Sequence, residues 1–172
     1  MSRVSEVEVR QLLVSSAHRL AGRPSDGPAP GPPDERVERV EVRRGLGLVG
    51  DRYYARPAHR DAAVTLMAAA NLPVEIDPAA DLRHTRRNVL LEGVDIDSLV
   101  GATIALDCGS GPVEFAVNRP ARPCAWMDVT IGPGAQRALR GKGGVRCTPL
   151  SDGVLALGPA TFRVLRGKAA GT

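Results

Sequence analysis

Thr103-Ile104-Ala105-Leu106-Asp107-Cys108-Gly109-Ser110-Gly111-Pro112-Val113-Glu114-Phe115-Ala116-Val117-Asn118 decides the fold class. Two short runs, residues 103–107 and 113–118, flank Cys108-Gly109-Ser110-Gly111, a β-hairpin turn signal. In the second run Val113, Phe115 and Val117 point one way, the period of two that a strand with one buried face requires. The same pattern recurs on either side. Val7, Val9, Leu12 and Val14 mark a strand within residues 6–16. Further strands are expected at 37–43, 63–67, 89–91, 145–149, 154–157 and 161–165.

Helices are few and short by comparison. Residues 68–72 turn once before Pro73, residues 95–100 form a turn closed by Gly101, and 133–140 read as a short helix. In that helix Pro133 suits the first turn and Gly141 the stop. Residues 78–84 and a Pro/Gly-rich segment at about 21–34 read as loops. Nineteen glycines and fourteen prolines leave little room for long helices, and aromatics at 3% leave a core of Val, Leu and Ala. A chain of 172 residues suits one domain over 1–172, mainly β, with a frayed tail after residue 167.

The charge balance, +4 with a pI near 9.4, favours anionic small molecules mildly. Nothing resembles a nucleic-acid motif, because no basic run is interleaved with aromatics. The chain has no apolar signal region and no segment long enough to cross a membrane, so a cytoplasmic, reduced protein is expected. Cys108, Cys124 and Cys147 are odd in number and widely spaced, which argues against a disulfide framework. There is no zinc-like spacing, and His18, His59 and His84 stand alone.

The hairpin's second strand delivers the chain to Arg119-Pro120-Ala121-Arg122-Pro123-Cys124-Ala125-Trp126-Met127-Asp128. Its prolines stiffen a non-helical loop, and arginines near a thiol favour the thiolate, the nucleophilic and metal-binding form. The plainer alternative is a buried cysteine beside a core tryptophan. Cys147 would serve as a resolving thiol only if the fold brought it near Cys124.

Two other stretches carry polar chemistry. Gly45-Leu46-Gly47-Leu48-Val49-Gly50-Asp51-Arg52-Tyr53-Tyr54 lacks both Rossmann and Walker spacing, so it reads as a tight turn presenting Asp51 and Arg52. Asp51 there either orients an arginine or caps the turn. In Thr85-Arg86-Arg87-Asn88-Val89 polar residues stop abruptly at an apolar strand. Arginine suits bidentate carboxylate or phosphate binding, and the alternative is a salt-bridged start to the strand.

These motifs, in this order, resemble the MOSC family, named for the C-terminal domain of molybdenum cofactor sulfurases. The resemblance runs through Gly47-Leu48-Val49-Gly50-Asp51-Arg52, Val64-Thr65-Leu66 and Thr85-Arg86-Arg87-Asn88-Val89. It continues through Gly93-Val94-Asp95-Ile96-Asp97-Ser98-Leu99-Val100-Gly101 and Arg122-Pro123-Cys124-Ala125-Trp126 to Leu139 and Gly143-Gly144-Val145-Arg146. It looks closest to the small stand-alone bacterial members. Two departures are visible. Gly158-Pro159 stands where the family often has Gly-Asp, and Gly141-Lys142 stands where a histidine often precedes the paired glycines.

The resemblance implies a distorted β-barrel with a few short helices. It implies that Cys124 is the signature cysteine, either a persulfide carrier or a ligand to molybdenum in a pterin cofactor (molybdopterin). Asp51, Arg52, Arg86, Arg87 and Asn88 would line one pocket for a pterin phosphate or another anionic ligand. Arg119 would hold anionic groups too, with Lys142 and Arg146 as further candidates. Sulfur carriage would draw on a cysteine desulfurase, and redox chemistry at molybdenum would need an electron-transfer partner. Pyridoxal phosphate belongs to a fused partner domain in some relatives, and no lysine here has a Schiff-base context. A non-catalytic binding module for a pterin or other anionic small molecule is the competing reading.

Overall fold

The computed structural model describes residues 3–168. Seven strands close into a barrel in the order β1-β10-β6-β7-β8-β4-β5. They are β1 (Val4–Leu12), β4 (Val64–Ala68), β5 (Val89–Glu92), β6 (Thr103–Asp107), β7 (Pro112–Pro120), β8 (Val145–Pro149) and β10 (Gly158–Arg166). The remaining strands, β2 (Arg39–Arg43), β3 (Gly47–Leu48) and β9 (Gly153–Ala156), form a small sheet in the order β3-β2-β9. The expected hairpin is β6–β7, with Ile104 opposite Phe115. Val113, Phe115 and Val117 all point into the barrel core, which explains their alternation.

Every pairing in the barrel is antiparallel except β4–β5. A parallel pair cannot be joined by a hairpin and needs a crossover. Residues 69–88 make that crossover over the outside of the barrel, and Arg86, Arg87 and Asn88 are its last residues before β5. A second apolar cluster covers the same outer face. Met67 of β4 and Leu90 of β5 turn outward to meet Leu13, Leu82, Trp126, Met127 and Leu139. This is why β4 is buried along its whole length.

Three short helices carry that cluster: α1 (Leu82–Thr85), α2 (Trp126–Thr130) and α3 (Ala135–Ala138). Helix α1 falls within and just beyond the expected 78–84 loop. A capping box closes its first turn: the Asp81 side chain accepts from Arg83 N, and His84 Nδ1 accepts from Asp81 N. Four residues are too few to show a helical period, so the cap was the only signal. The stiff loop around Cys124 is also shorter than expected, because α2 starts two residues after the thiol. The helix expected over 133–140 contracts to Ala135–Ala138, and β1 begins and ends earlier than expected. Of the tail after 167, residues 169–172 lie outside the described residues.

Candidate functional site

Strand β7 hands the chain to the cysteine loop, and three devices fix that loop. Ala121 N donates to Gly144 O at 2.8 Å. Cys124 O accepts from Met127 N at 3.0 Å, which starts α2. Trp126 and Met127 then sink into the outer cluster. The paired glycines permit the close approach. A Cβ on Gly143 would lie 2.3 Å from Ala121 O, and one on Gly144 would lie 2.3 Å from Leu66 O, with Gly144 already at φ +92°. Cys124 is left exposed. Its neighbours His18, Arg52, Tyr53, Arg87 and Arg146 join it around a cavity of about 260 Å³.

Beneath the cavity lies a saturated polar network. The Asn88 side chain accepts from Thr65 N and from Thr65 Oγ1, both at 3.0 Å, and donates to Leu13 O at 3.1 Å and Asp51 Oδ1 at 3.2 Å. It therefore clamps β4 against β5 and the end of β1. Asp51 also accepts from Ser15 N and Tyr53 N at 3.2 Å and from Arg52 Nη1 at 3.4 Å. Both roles foreseen for Asp51 are filled: it caps the turn and holds an arginine. Arg52 also donates through Nη2 to Arg86 O at 3.1 Å and lies 4.6 Å over the Tyr53 ring.

Arg86 sits at φ +61°, capping α1 through its N–H to Leu82 O at 2.7 Å. Its guanidinium forms a bidentate pair with Glu35, Nη2 to Oε1 at 3.0 Å, and both side chains are buried. Ser15 Oγ donates to the same carboxylate at 2.6 Å. Burial alone would raise the Glu35 carboxyl, but the bonds from Arg86 and Ser15 outweigh it and hold it below its ordinary value. The Arg86 charge is thus neutralised within the chain, although the residue lines the cavity.

Arg87 is different. Its three nitrogens donate to backbone carbonyls: Nε to Gly143 O at 2.8 Å, Nη2 to Ala121 O at 3.0 Å and Nη1 to Thr85 O at 3.3 Å. These bonds tie the cysteine loop to the glycine pair. No carboxylate pairs with Arg87 among the described residues. Burial, with repulsion from Arg146, pulls the Arg87 guanidinium down to about 10, while the Cys124 thiolate pushes it back up. At neutral pH it remains a cation. Arg146 alternates along β8 with the inward Val145 and Cys147, so it faces outward to the cavity, and it too has no carboxylate partner among the described residues. The cavity therefore carries positive charge beside a thiol.

Some expected residues fall elsewhere. Arg119 is exposed, opposite Arg146 across a register shift between β7 and β8, and does not line the cavity. Lys142 is exposed on the turn before β8 and does not line it either. Lys142 precedes the glycine pair, and Arg119 shares the outward face of its cross-strand partner Arg146 but is not among the residues around the cavity. Cys147 is sealed in the barrel core, where burial pushes its thiol up, so it cannot resolve a bond at Cys124. Sequence reasoning did not single out His18, Tyr53, Thr85 or Glu35. No local pattern marks them, since each reaches the site from a loop or from the crossover. His18 packs edge-on to Tyr53 at 5.3 Å, and burial together with Arg52 lowers its imidazole below 6.5.

Among the described residues no group of three His, Cys, Asp or Glu side chains could hold a metal. No helix there is long and apolar enough to cross a membrane. No family model matches the chain, and no curated protein matches its sequence. Solved structures do match. The fold is shared with YuaD and YiiM. YuaD of Bacillus subtilis superposes with a TM-score of 0.72 over 96% of this chain and 100% of its own, at 14% identity. YiiM of Geobacillus stearothermophilus gives 0.60 over 92% and 75% at 17% identity, and YiiM of Escherichia coli 0.55 over 96% and 70% at 15%.

Proposed function

We propose that this is a MOSC-type sulfur-transfer protein in which Cys124 carries a terminal sulfur as a persulfide. The observation that carries the reading is an exposed thiol beside two cavity arginines, Arg87 and Arg146, that no carboxylate neutralises. The MOSC resemblance and the shared barrel support it. Cys124 thiolate would attack the outer sulfur of a donor persulfide, such as that of a cysteine desulfurase. The donor's S–S bond breaks, the donor thiolate leaves, and Cys124 holds the new S–S⁻ group. The arginines stabilise that anion. A reducing cytoplasm suits three unpaired thiols.

Pterin-bound molybdenum fits this site only in part. A lone protein thiolate suits a metal that arrives with its own ligands. The cavity, at about 260 Å³, lies at the small end of the ~300–1,000 Å³ typical of sites for small organic ligands. The space suits a persulfide and a small anion.

Intact mass spectrometry with metal analysis tests the reading, on protein from a host that makes both molybdenum cofactor and cysteine desulfurases. A one-sulfur mass gain, lost on reduction and absent in Cys124→Ser, is expected. Bound molybdenum lost in the same variant would replace sulfur carriage with redox chemistry fed by an electron-transfer partner. A bare thiol without metal would leave a binding module for anionic small molecules.

A further inference from the structure

Thr85 is the last residue of α1, next to Arg86. It is 1% exposed, yet it lines the Cys124 cavity. Its Oγ1 is the one buried side-chain polar atom among the described residues that lacks a hydrogen-bond partner. Buried hydroxyls are almost always satisfied, because an unmade bond there forfeits solvation without return. The neighbouring Thr65 hydroxyl shows the usual outcome, bonded both ways to Asn88. Arg146 adds a second unmet demand, since its guanidinium makes no hydrogen bond or ion pair with any described residue. Arg87 uses one bond from each nitrogen on carbonyls, and its guanidinium has five N–H groups in all. Thr85, Arg87 and Arg146 all border the same cavity of about 260 Å³, with the Cys124 thiol in its wall.

We propose that this cavity is built for a small sulfur oxoanion, the sulfite–thiosulfate pair, held by Arg87, Arg146 and the Thr85 hydroxyl while Cys124 exchanges sulfur with it. The inference rests on sulfur carriage at Cys124 and adds the small molecule on the other side of the exchange. A tetrahedral oxoanion brings negative charge that the chain does not supply beside Arg87 and Arg146, and several oxygens that can accept from unused donors. It is also small enough for the space. In the delivery direction the sulfur lone pair of sulfite attacks the terminal sulfur of the Cys124 persulfide. The S–S bond to Cys124 Sγ breaks, the cysteine leaves as thiolate with the electron pair, and the product is thiosulfate. The reverse step loads the protein: Cys124 thiolate attacks the outer sulfur of thiosulfate, and sulfite departs with the electron pair. Neither direction needs an external oxidant or reductant.

The test loads the reduced, full-length protein with thiosulfate and reads persulfide by intact mass and released sulfite by a colorimetric assay. A parallel sample receives cysteine and a cysteine desulfurase. Loading from thiosulfate with equimolar sulfite is expected, absent in Cys124→Ser and inhibited competitively by sulfate. Thr85→Val should need about tenfold more thiosulfate for half-maximal loading, the loss of one hydrogen bond to a charged ligand. Its melting temperature should hold or rise, because the variant deletes a hydroxyl that has no partner. Loading by the desulfurase but not by thiosulfate would overturn the oxoanion and leave sulfur carriage standing. Unchanged half-saturation in Thr85→Val would overturn the role of Thr85. Failure of both donors would remove sulfur carriage itself, and this inference with it.

Discussion

Arg86 and Arg87 are adjacent in the chain and opposite in their surroundings. Arg86 is neutralised by Glu35 and serves the fold, pinning the 13–37 segment to the barrel. Arg87 finds only carbonyls and keeps its charge for the cavity. The backbone makes the difference. Arg86 occupies the left-handed region at the end of α1, which sends successive side chains to different sides as the chain enters β5. A sequence motif of two arginines is thus one structural ion pair and one cation left without a carboxylate beside the cavity. A cation near a cavity counts toward binding only after its carboxylate partners have been counted.

That contrast can be broken from either side. The largest effect on stability is expected for Glu35→Gln, which strands the Arg86 charge in the interior. A loss of ~3–5 kcal/mol should appear in urea unfolding. A loss under ~1 kcal/mol would show that the pair is solvated. Arg87→Met should be milder for the fold, about 1–3 kcal/mol, because it loses carbonyl bonds but also relieves a buried charge. Its sulfur loading should fall further than its stability, and equal retention of loading would remove Arg87 from the site.

Acid titration sharpens the same contrast. The folded-state pKa of Glu35 lies below 4.5, so its contribution is fully present above 4.5 and is lost as pH falls through the lower folded value. Asp81, held below 3.8 by Arg83 against the opposing effect of burial, acts with the same sign. Asp97 acts with the opposite sign, because burial raises it. Wild-type stability should therefore decline below pH about 4.5, and Glu35→Gln should flatten the upper part of that decline. An unchanged profile would mean that the Glu35 pair contributes nothing to it. The smallest effects belong to Arg119→Ala and Lys142→Ala, both outside the cavity. Stability should stay within ~0.5 kcal/mol and sulfur loading should be unaltered. A clear loss of loading would return either residue to the site.

The amino-acid sequence by itself determined the strands except β3, whose two residues lie in the stretch read as a tight turn. Alternation in residues 113–118 and 145–149 is enforced by a barrel with one dry side, so it is written locally. It also placed Cys124 in a proline-stiffened loop and marked the glycine pair that lets this loop approach β4. Helices α1 and α2 escaped because four or five residues cannot display a period, whereas α3 was legible from Pro133 and Gly141 at its ends. Only the tertiary structure decided which charges remain available. Glu35 reaches Arg86 across 51 positions of chain, and His18, Tyr53 and Thr85 meet Cys124 only after the barrel closes. Neutralisation depends on distances of a few ångströms between segments remote in sequence, and no local pattern encodes those distances.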